Sequence, residues 1–261
     1  MIAPRTLIAL LALAAIQAPL NGQSTGTISL HKRLHINTLI TEPGTMEVDW
    51  ASLYSISTGN FTMPLAVKYT PEGRHVIWGR TEYSLAFDSL DSADIGGERL
   101  TQFSQSMSVT ATSVLHDGPK LDFAIAPQAV FFLRDESGAR LGATGIARYD
   151  SGHSSVGATV GWSAATHSSP TNPAGVLDVG FGFGQNISGS DTAEKFTPHC
   201  NVVWEHATGI EAVLSVFEGV EYQMTGRIAF DLSAQHFAVN TRTADHQIVI
   251  GVTVNFGKQK Q

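Results

Sequence analysis

A two-residue alternation of apolar side chains is the feature that most constrains how this chain can fold. The clearest case is the segment 246–257, HQIVIGVTVNFG. Its apolar residues stand at every second position: Ile248, Ile250, Val252, Val254 and Phe256. Successive side chains of an extended strand point to opposite faces of a sheet. The segment is therefore predicted to be a β-strand with one continuous apolar face.

The same alternation recurs from about residue 46 onward, whereas the spacings of three and four that predict helices are hard to find. In NFTMPLAVKYTPEG, one face carries Phe61, Met63, Leu65, Val67 and Tyr69. We count about twelve such segments of roughly ten residues, separated by turns rich in Gly, Pro, Asn and Asp. No change in composition indicates a domain boundary, so one all-β domain is predicted.

The second face of these strands distinguishes a soluble β-sandwich from a membrane barrel. A soluble sheet packs its apolar face inward and carries long charged side chains on the other face. Here the second face is mostly Gly, Ser, Thr and Ala, and charged residues are only 15% of the 261 residues. Because hydrocarbon cannot satisfy the hydrogen bonds of a strand edge, a sheet in lipid must close on itself. The prediction is a transmembrane antiparallel up-and-down β-barrel of about twelve strands, with its apolar stripes outward.

The N-terminal segment MIAPRTLIALLALAAIQAPLNGQS has the form of a secretory signal peptide. Arg5 precedes an apolar run and then small residues, and cleavage is predicted after Gly22, or after Ala18 as the weaker choice. The predicted organisation is a signal peptide at 1–22, a periplasmic lead-in at 23–45, the barrel at 46–257 and a tail at 258–261.

The connections provide a second prediction. In such barrels, short periplasmic turns alternate with longer external loops. Counting backward from Phe256, the connections near 71–74, 116–119, 151–153 and 219–222 are predicted to be short. Those near 90–100, 167–175 and 234–245 are predicted to be long, and the first and last of these are candidates for selectivity loops. The segment 186–194 is an exception, because it is long on the side of the short turns.

The export segment, the amphipathic strands and the terminal aromatic together resemble Gram-negative outer-membrane β-barrels. The stretches MPLAVKYTPEG, FAIAPQAVFF and VTVNFG are similar to the MetA-pathway-of-phenol-degradation-like transporter barrels, over residues 46–257. The resemblance implies an outer-membrane channel that passes small solutes, hydrophobic or aromatic compounds among them, without a cofactor. It implies outer-membrane lipid and the outer-membrane assembly machinery as partners. Phe256 corresponds to the aromatic that this machinery reads, although Gly-Lys-Gln-Lys-Gln follows it.

The charged side chains of the second face are the candidate functional residues. Those predicted to line the pore are Lys68, Arg80, Glu82, Asp122, Arg148, Asp178, Glu205, Glu211, Arg227 and Asp231. Charges inside a pore set ion selectivity. The alternative is that these charges pair with one another and fill the interior of a structural or surface-interaction barrel. A barrel of about twelve strands lies between small filled barrels and open porins, so its size leaves both alternatives open.

Other functions have less support in the sequence. The net charge of −7 argues against nucleic acid as a partner. His153 and Ser155 are two residues apart, as in a lipid hydrolase, but Ser155 falls on the lumen face, away from lipid. No catalytic residue is therefore predicted. His31 and His35 are four residues apart on an extended chain without a carboxylate or Cys cluster, so no metal site is predicted.

Overall fold

The computed structural model describes residues 40–72, 80–95, 98–102, 106–133, 138–152, 154–168, 172–185, 196–239 and 242–257. The predicted signal peptide at 1–22, the lead-in up to residue 39 and the tail at 258–261 lie outside these residues. His31, His35 and His153 also lie outside them. Within the described ranges, no helix is long and apolar enough to cross a membrane.

Thirteen β-strands follow one another along the described chain, without an α-helix between them. They are β1 (Thr45–Ser55), β2 (Phe61–Thr70), β3 (Thr81–Ile95), β4 (Glu98–Gln102), β5 (Ser106–Asp117), β6 (Leu121–Phe132), β7 (Ala139–Asp150), β8 (Ser154–Ala165), β9 (Gly175–Gln185), β10 (Phe196–Ala207), β11 (Val213–Thr225), β12 (Ile228–Val239) and β13 (Arg242–Phe256).

The sheet closes on itself. Strands β5 to β13 each pair antiparallel with the next, and the ring is completed by the pairs β13–β1, β1–β2, β2–β3 and β3–β5. Strand β4 pairs with residues 91–95 of β3, and β5 pairs with residues 81–87 of the same strand. Because β4 and β5 together occupy one position beside β3, the barrel has twelve strand positions. The predicted up-and-down barrel of about twelve strands is confirmed.

Burial alternates along each strand and separates an inner face from an outer face. In β1, Glu47, Asp49 and Ala51 are buried, while Trp50 and Tyr54 between and beyond them are exposed. The predicted apolar stripes form the exposed, outer face of the barrel. Its large apolar residues include Tyr69, Tyr83, Leu121, Phe131, Leu141, Tyr149, Val160, Trp162, Phe181, Trp204, Leu232, Ile250 and Phe256. An apolar surface of this extent is unusual for a soluble monomer.

We name the two rims of the barrel by the chain termini. The terminal end is the rim where β1 begins and β13 ends, and the distal end is the opposite rim. At the terminal end the connections are 71–80, 118–120, 151–153, 186–195 and 226–227; at the distal end they include 56–60, 133–138, 166–174 and 208–212. Among the connections that are described throughout, 118–120 and 226–227 at the terminal end have three and two residues, and 56–60 and 208–212 at the distal end have five.

Three predicted connections are wrong in position. The segment 219–222 lies within β11, and the turn follows it at 226–227. The segments 90–100 and 234–245 are mostly strand, because β3 pairs with β4 as far as Ile95 and Glu98, and β12 pairs with β13 as far as Val239 and Arg242. Polar strands that continue a hairpin make the same ladder hydrogen bonds as apolar ones, so composition alone does not mark where a strand ends.

Candidate pore lining

The inner face is lined unequally on its two sides. Strands β1 and β11 to β13 contribute larger buried side chains, including Leu53, Phe217, Phe237 and Val249. The facing strands β7 to β9 contribute small residues, the glycines at 142, 157, 161, 180 and 182 among them. Half-buried inner residues occur on many strands, for example Gln128 on β6, Thr144 on β7, Thr159 on β8, Asp178 on β9 and Glu205 on β10.

Lys68 forms the most enclosed charge cluster of the inner face. Its ammonium lies 2.8 Å from Glu47 Oε1 and 2.5 Å from Asp49 Oδ2, and all three residues are buried. Glu82 of β3 is a third carboxylate within electrostatic range of Lys68. The backbone amide of Thr41 donates a 2.7 Å hydrogen bond to Glu82 Oε2. The cluster joins β1, β2 and β3 at the terminal end.

A second cluster lies farther around the same rim. Arg148 Nε is 3.3 Å from Asp122 Oδ2, and its Nη2 is 3.4 Å from Asp150 Oδ2. Arg80 pairs with Asp117 and is more exposed than Lys68 and Arg148. Several predicted pore-lining residues thus form ion pairs between neighbouring strands. Such pairs are what the alternative of a filled interior predicts.

Asp178 and Glu205 stand directly opposite each other on β9 and β10, towards the distal end. A Cβ at Gly161 would lie 2.6 Å from either carboxylate oxygen of Asp178, so this side chain extends over the glycine of β8. Arg140 of β7, a residue absent from the predicted set, lies within electrostatic range of Glu205. The alternation that places Arg148 inward also places Arg140 inward, because eight residues separate the two on one strand.

Arg140 also holds a distal connection against the inner wall. Its Nη2 donates to Asn172 Oδ1 at 2.8 Å and to the carbonyl of Pro173 at 2.6 Å. Asn172 is itself buried and donates to the carbonyl of His167. The connection 166–174 is therefore tied to the inner face by a cation.

Asp231 is the last predicted charge that the inner face holds on a strand. His199 Nε2 lies 2.6 Å from Asp231 Oδ2, and the Ser233 hydroxyl donates to the other oxygen. His199 and Ser233 flank Gly219 in the same cross-strand row, where a Cβ would lie 2.6 Å from the carbonyl oxygen of Leu232. A glycine at this position lets the side chains of β10 and β12 meet across β11.

Three predicted pore-lining residues do not lie on a strand. Arg80 is the last residue of the connection 71–80 and directly precedes β3. Glu211 is exposed in the connection 208–212, and Arg227 is exposed in the turn 226–227. Glu211 and Arg227 were predicted to lie on strands because the alternation of apolar residues continues through them in the sequence. In the structure the chain has left the sheet at both positions. Phe256 is the last residue of β13, pairs with Met46 and is exposed on the outer face.

The described residues give no support to a lipid hydrolase or to a metal site. Ser155 is buried on the inner face opposite Gly184, on the side away from the apolar outer surface. Among the described residues, no group of three or more His, Cys, Asp and Glu side chains could hold a metal ion.

Comparison with known protein structures identifies the fold. No protein-family model matches the sequence, and no curated protein matches it. A structure of the NanC porin is similar with a TM-score of 0.57 and 10% identity, covering 79% of this chain and 98% of that one. The KdgM porin is similar with a TM-score of 0.51 and 12% identity, covering 80% of this chain and 99% of that one. A structure of KdgM in complex with disordered oligogalacturonate gives a TM-score of 0.50 at 8% identity, with the same coverage. The chain therefore has the fold of porin barrels; the narrower resemblance to the MetA-pathway-like group stays a prediction.

Proposed function

We propose that this protein is a passive outer-membrane channel for small polar solutes with a preference for cations. The observation that carries the proposal is the charge of the inner face, together with the Arg80–Asp117 ion pair at its terminal rim. The described cations there are Lys68, Arg80, Arg140 and Arg148. The carboxylates outnumber them more than twofold: Glu47, Asp49, Glu82, Asp117, Asp122, Asp150, Asp178, Glu205, Glu221, Asp231 and Asp245. Fixed carboxylates in a narrow pore attract cations and repel anions.

The membrane location rests on the outer face. Its exposed apolar side chains cover the strands between the two rims, and a closed sheet leaves no unpaired edge in hydrocarbon. Together with the predicted signal peptide, this arrangement supports the outer membrane of a Gram-negative cell. In this setting Phe256 serves as the assembly signal, and lipid contacts the apolar stripes.

The solute class follows from the chemistry of the wall. The KdgM structure contains oligogalacturonate, which is a polyanion. An acidic wall would repel a polyanion, so this ligand does not suit the channel proposed here. The half-buried inner side chains that a solute can reach are mostly polar or small, such as Gln128, Thr144, Thr159 and Asp178. Small polar or cationic solutes suit such a wall better than the aromatic compounds that the family resemblance implies.

Planar-bilayer recordings in a KCl gradient test the proposal. The purified protein is expected to give discrete conductance steps and a reversal potential that indicates cation preference. In a variant carrying Asp178→Asn and Glu205→Gln, the cation-to-anion permeability ratio is expected to fall by about twofold or more, because two charges leave a poorly hydrated wall.

The matched control is Glu211→Gln, which removes one carboxylate from an exposed connection and is expected to leave the ratio unchanged. Anion preference in the unmodified protein contradicts the proposal. A ratio that the double substitution leaves unaltered contradicts the assignment of Asp178 and Glu205.

A filled, structural barrel is the second candidate, and one observation favours it. The inner face of β1 is buried from rim to rim, and that of β2 is buried from Pro64 to Thr70. Lys68 is enclosed by its carboxylates, and Ala51, Leu53 and Val249 pack together. A folded barrel that shows no conductance over a wide voltage range would select this candidate. Heat-modifiable migration on a detergent gel establishes that the barrel is folded in either case.

A further inference from the structure

The residues just before β1 fold back into the terminal mouth of the barrel. A turn at 42–45, in which the Thr45 amide donates to the Glu42 carbonyl at 3.1 Å, reverses the chain ahead of the strand. The reversal brings Ile40 and Thr41 over the rim, where both residues are buried.

Thr41 is bonded to residues of the inner face. Its backbone amide donates to Glu82 Oε2 at 2.7 Å, and its hydroxyl lies 2.7 Å from the Thr70 hydroxyl. Thr70 ends β2 and Glu82 is the second residue of β3, so both stand at the terminal end. Both are also buried on the inner face. The chain that precedes Thr41 therefore joins the barrel inside its mouth, and not along its outer surface.

The segment ahead of this contact is basic. Residues 23–39, QSTGTISLHKRLHINTL, lie outside the described residues and follow the predicted signal peptide. They carry Lys32 and Arg33, flanked by His31 and His35, and contain no Asp or Glu. The inner face has the opposite charge, because its described carboxylates outnumber its described cations more than twofold. The segment and the lumen are therefore complementary in charge.

The length of the segment matches one pair of carboxylates. Lys32 and Arg33 precede Ile40 by eight and seven residues, which span about 23–26 Å when the chain is extended. Glu205 lies nine residues from the terminal start of β10 and directly opposite Asp178. Nine residues of a strand tilted by about 40° rise about 23 Å along the barrel axis. Both carboxylates are half-buried, so a segment in the lumen can reach them.

We infer that residues 23–39 dock inside the barrel and occlude its lumen, with Lys32 and Arg33 bound by Asp178 and Glu205. The acidic lumen is the docking surface, and the N-terminal segment of the same chain is its occupant. The inference rests on the acidic inner face that carries the proposed function, and it adds a regulation of that channel. Because ion pairs that water can reach are individually weak, the segment can leave, and the channel conducts while the segment is out.

Trypsin provides a test that does not depend on conduction, because it cuts after Lys32 and Arg33 only where it can reach them. The chain from residue 23 to 261 is folded in detergent micelles, treated with trypsin and followed by intact mass. The unmodified protein is expected to retain its N-terminal segment. Asp178→Asn with Glu205→Gln is expected to speed the cut after Lys32 or Arg33 at least fivefold.

The matched control removes the same number of carboxylates outside the lumen. Glu211→Gln with Glu218→Gln changes an exposed connection and an exposed outer-face position of β11, and it is expected to leave the rate of the cut unchanged. Each rate is read in protein that migrates as a folded, heat-modifiable barrel, so unfolding does not account for a faster cut.

Lys32→Glu with Arg33→Glu tests the segment by conduction in the intact chain. The acidic lumen repels the altered segment, so the fraction of time that the channel is open in planar bilayers is expected to rise at least twofold. Lys120→Glu with Arg227→Glu reverses two exposed cations in terminal turns and is expected to leave the open fraction unchanged.

The outcomes separate the docked segment from the channel. Rapid cutting of the unmodified barrel would overturn the inference, as would equal rates for this protein and the variant at Asp178 and Glu205. In a conducting barrel, an open fraction that the charge reversal leaves unaltered would also overturn it. A conducting barrel whose segment is cut at once refutes the docking and leaves the channel intact. A segment that is protected, and released by the double variant, in a barrel that never conducts supports the docking and refutes the channel.

Discussion

Replacing Lys68 with methionine is expected to destabilise the folded barrel by about 3–5 kcal/mol. The ammonium of Lys68 is buried between Glu47 and Asp49, with Glu82 within electrostatic range. Without it, the carboxylates remain buried close together and lack their counter-charge, which is far more costly than the loss of one ion pair. Urea titration followed by heat-modifiable migration measures the change in the free energy of unfolding.

Two variants establish that the effect comes from the cluster. Lys120→Met removes a lysine that is exposed in the connection 118–120, and it is expected to change the free energy of unfolding by less than about 0.5 kcal/mol. Adding Glu47→Gln and Asp49→Asn to Lys68→Met removes the uncompensated charges and is expected to recover part of the loss. Equal stability of Lys68→Met and the unmodified protein would refute the geometry of this cluster.

Gly142→Ala is expected to destabilise the barrel by about 1–3 kcal/mol, or to prevent its folding. A Cβ at this inner position of β7 would lie 2.5 Å from the carbonyl oxygen of Trp162 and 2.9 Å from Cα of Ser163. Backbone atoms of a paired strand cannot move aside without breaking the ladder between β7 and β8. The yield of heat-modifiable protein after refolding and its urea midpoint measure the effect.

Gly145→Ala is the control on the same strand. It stands on the outer face, where a Cβ would have only an ordinary contact of 3.8 Å with the carbonyl oxygen of Val160. This substitution is expected to be neutral. Similar losses for both alanines would indicate that a general effect of glycine replacement, and not the close approach of β8, is responsible.

The predicted charge set shows where reading the sequence succeeds and where it fails. Seven predicted charges lie on strands and on the face that the alternation assigns them: Lys68, Glu82, Asp122, Arg148, Asp178, Glu205 and Asp231. Arg80, Glu211 and Arg227 lie in connections. Glu47, Asp49 and Arg140 were missed, although Glu47 and Asp49 alternate with Met46, Val48 and Trp50 in the same way as the predicted residues. The same alternation assigns these three residues to the inner face, and all of them lie within the first five residues of a strand.

A row of three polar side chains in contact on the outer face, Glu218, His236 and His246, could not be found in this way. Each of these residues occupies an outer-face position of its strand, where most of the neighbouring residues are apolar. In the sequence, a single polar residue at such a position looks like an isolated exception to the pattern. Their meeting depends on the register of β11, β12 and β13, which places Val216 opposite His236 and His236 opposite His246. Register is a property of paired strands, and neither strand specifies it alone.

The sequence by itself determined the class of secondary structure, the number of strands and the face on which nearly every side chain lies. It could do so because an extended chain turns successive side chains to opposite sides whatever its neighbours are. Only the tertiary structure decided which charges meet, such as Asp49 of β1, which accepts a hydrogen bond from Thr253 of β13, 204 residues away in sequence. Closure of the barrel brings the first and last strands together, and no local pattern encodes the register at which they join.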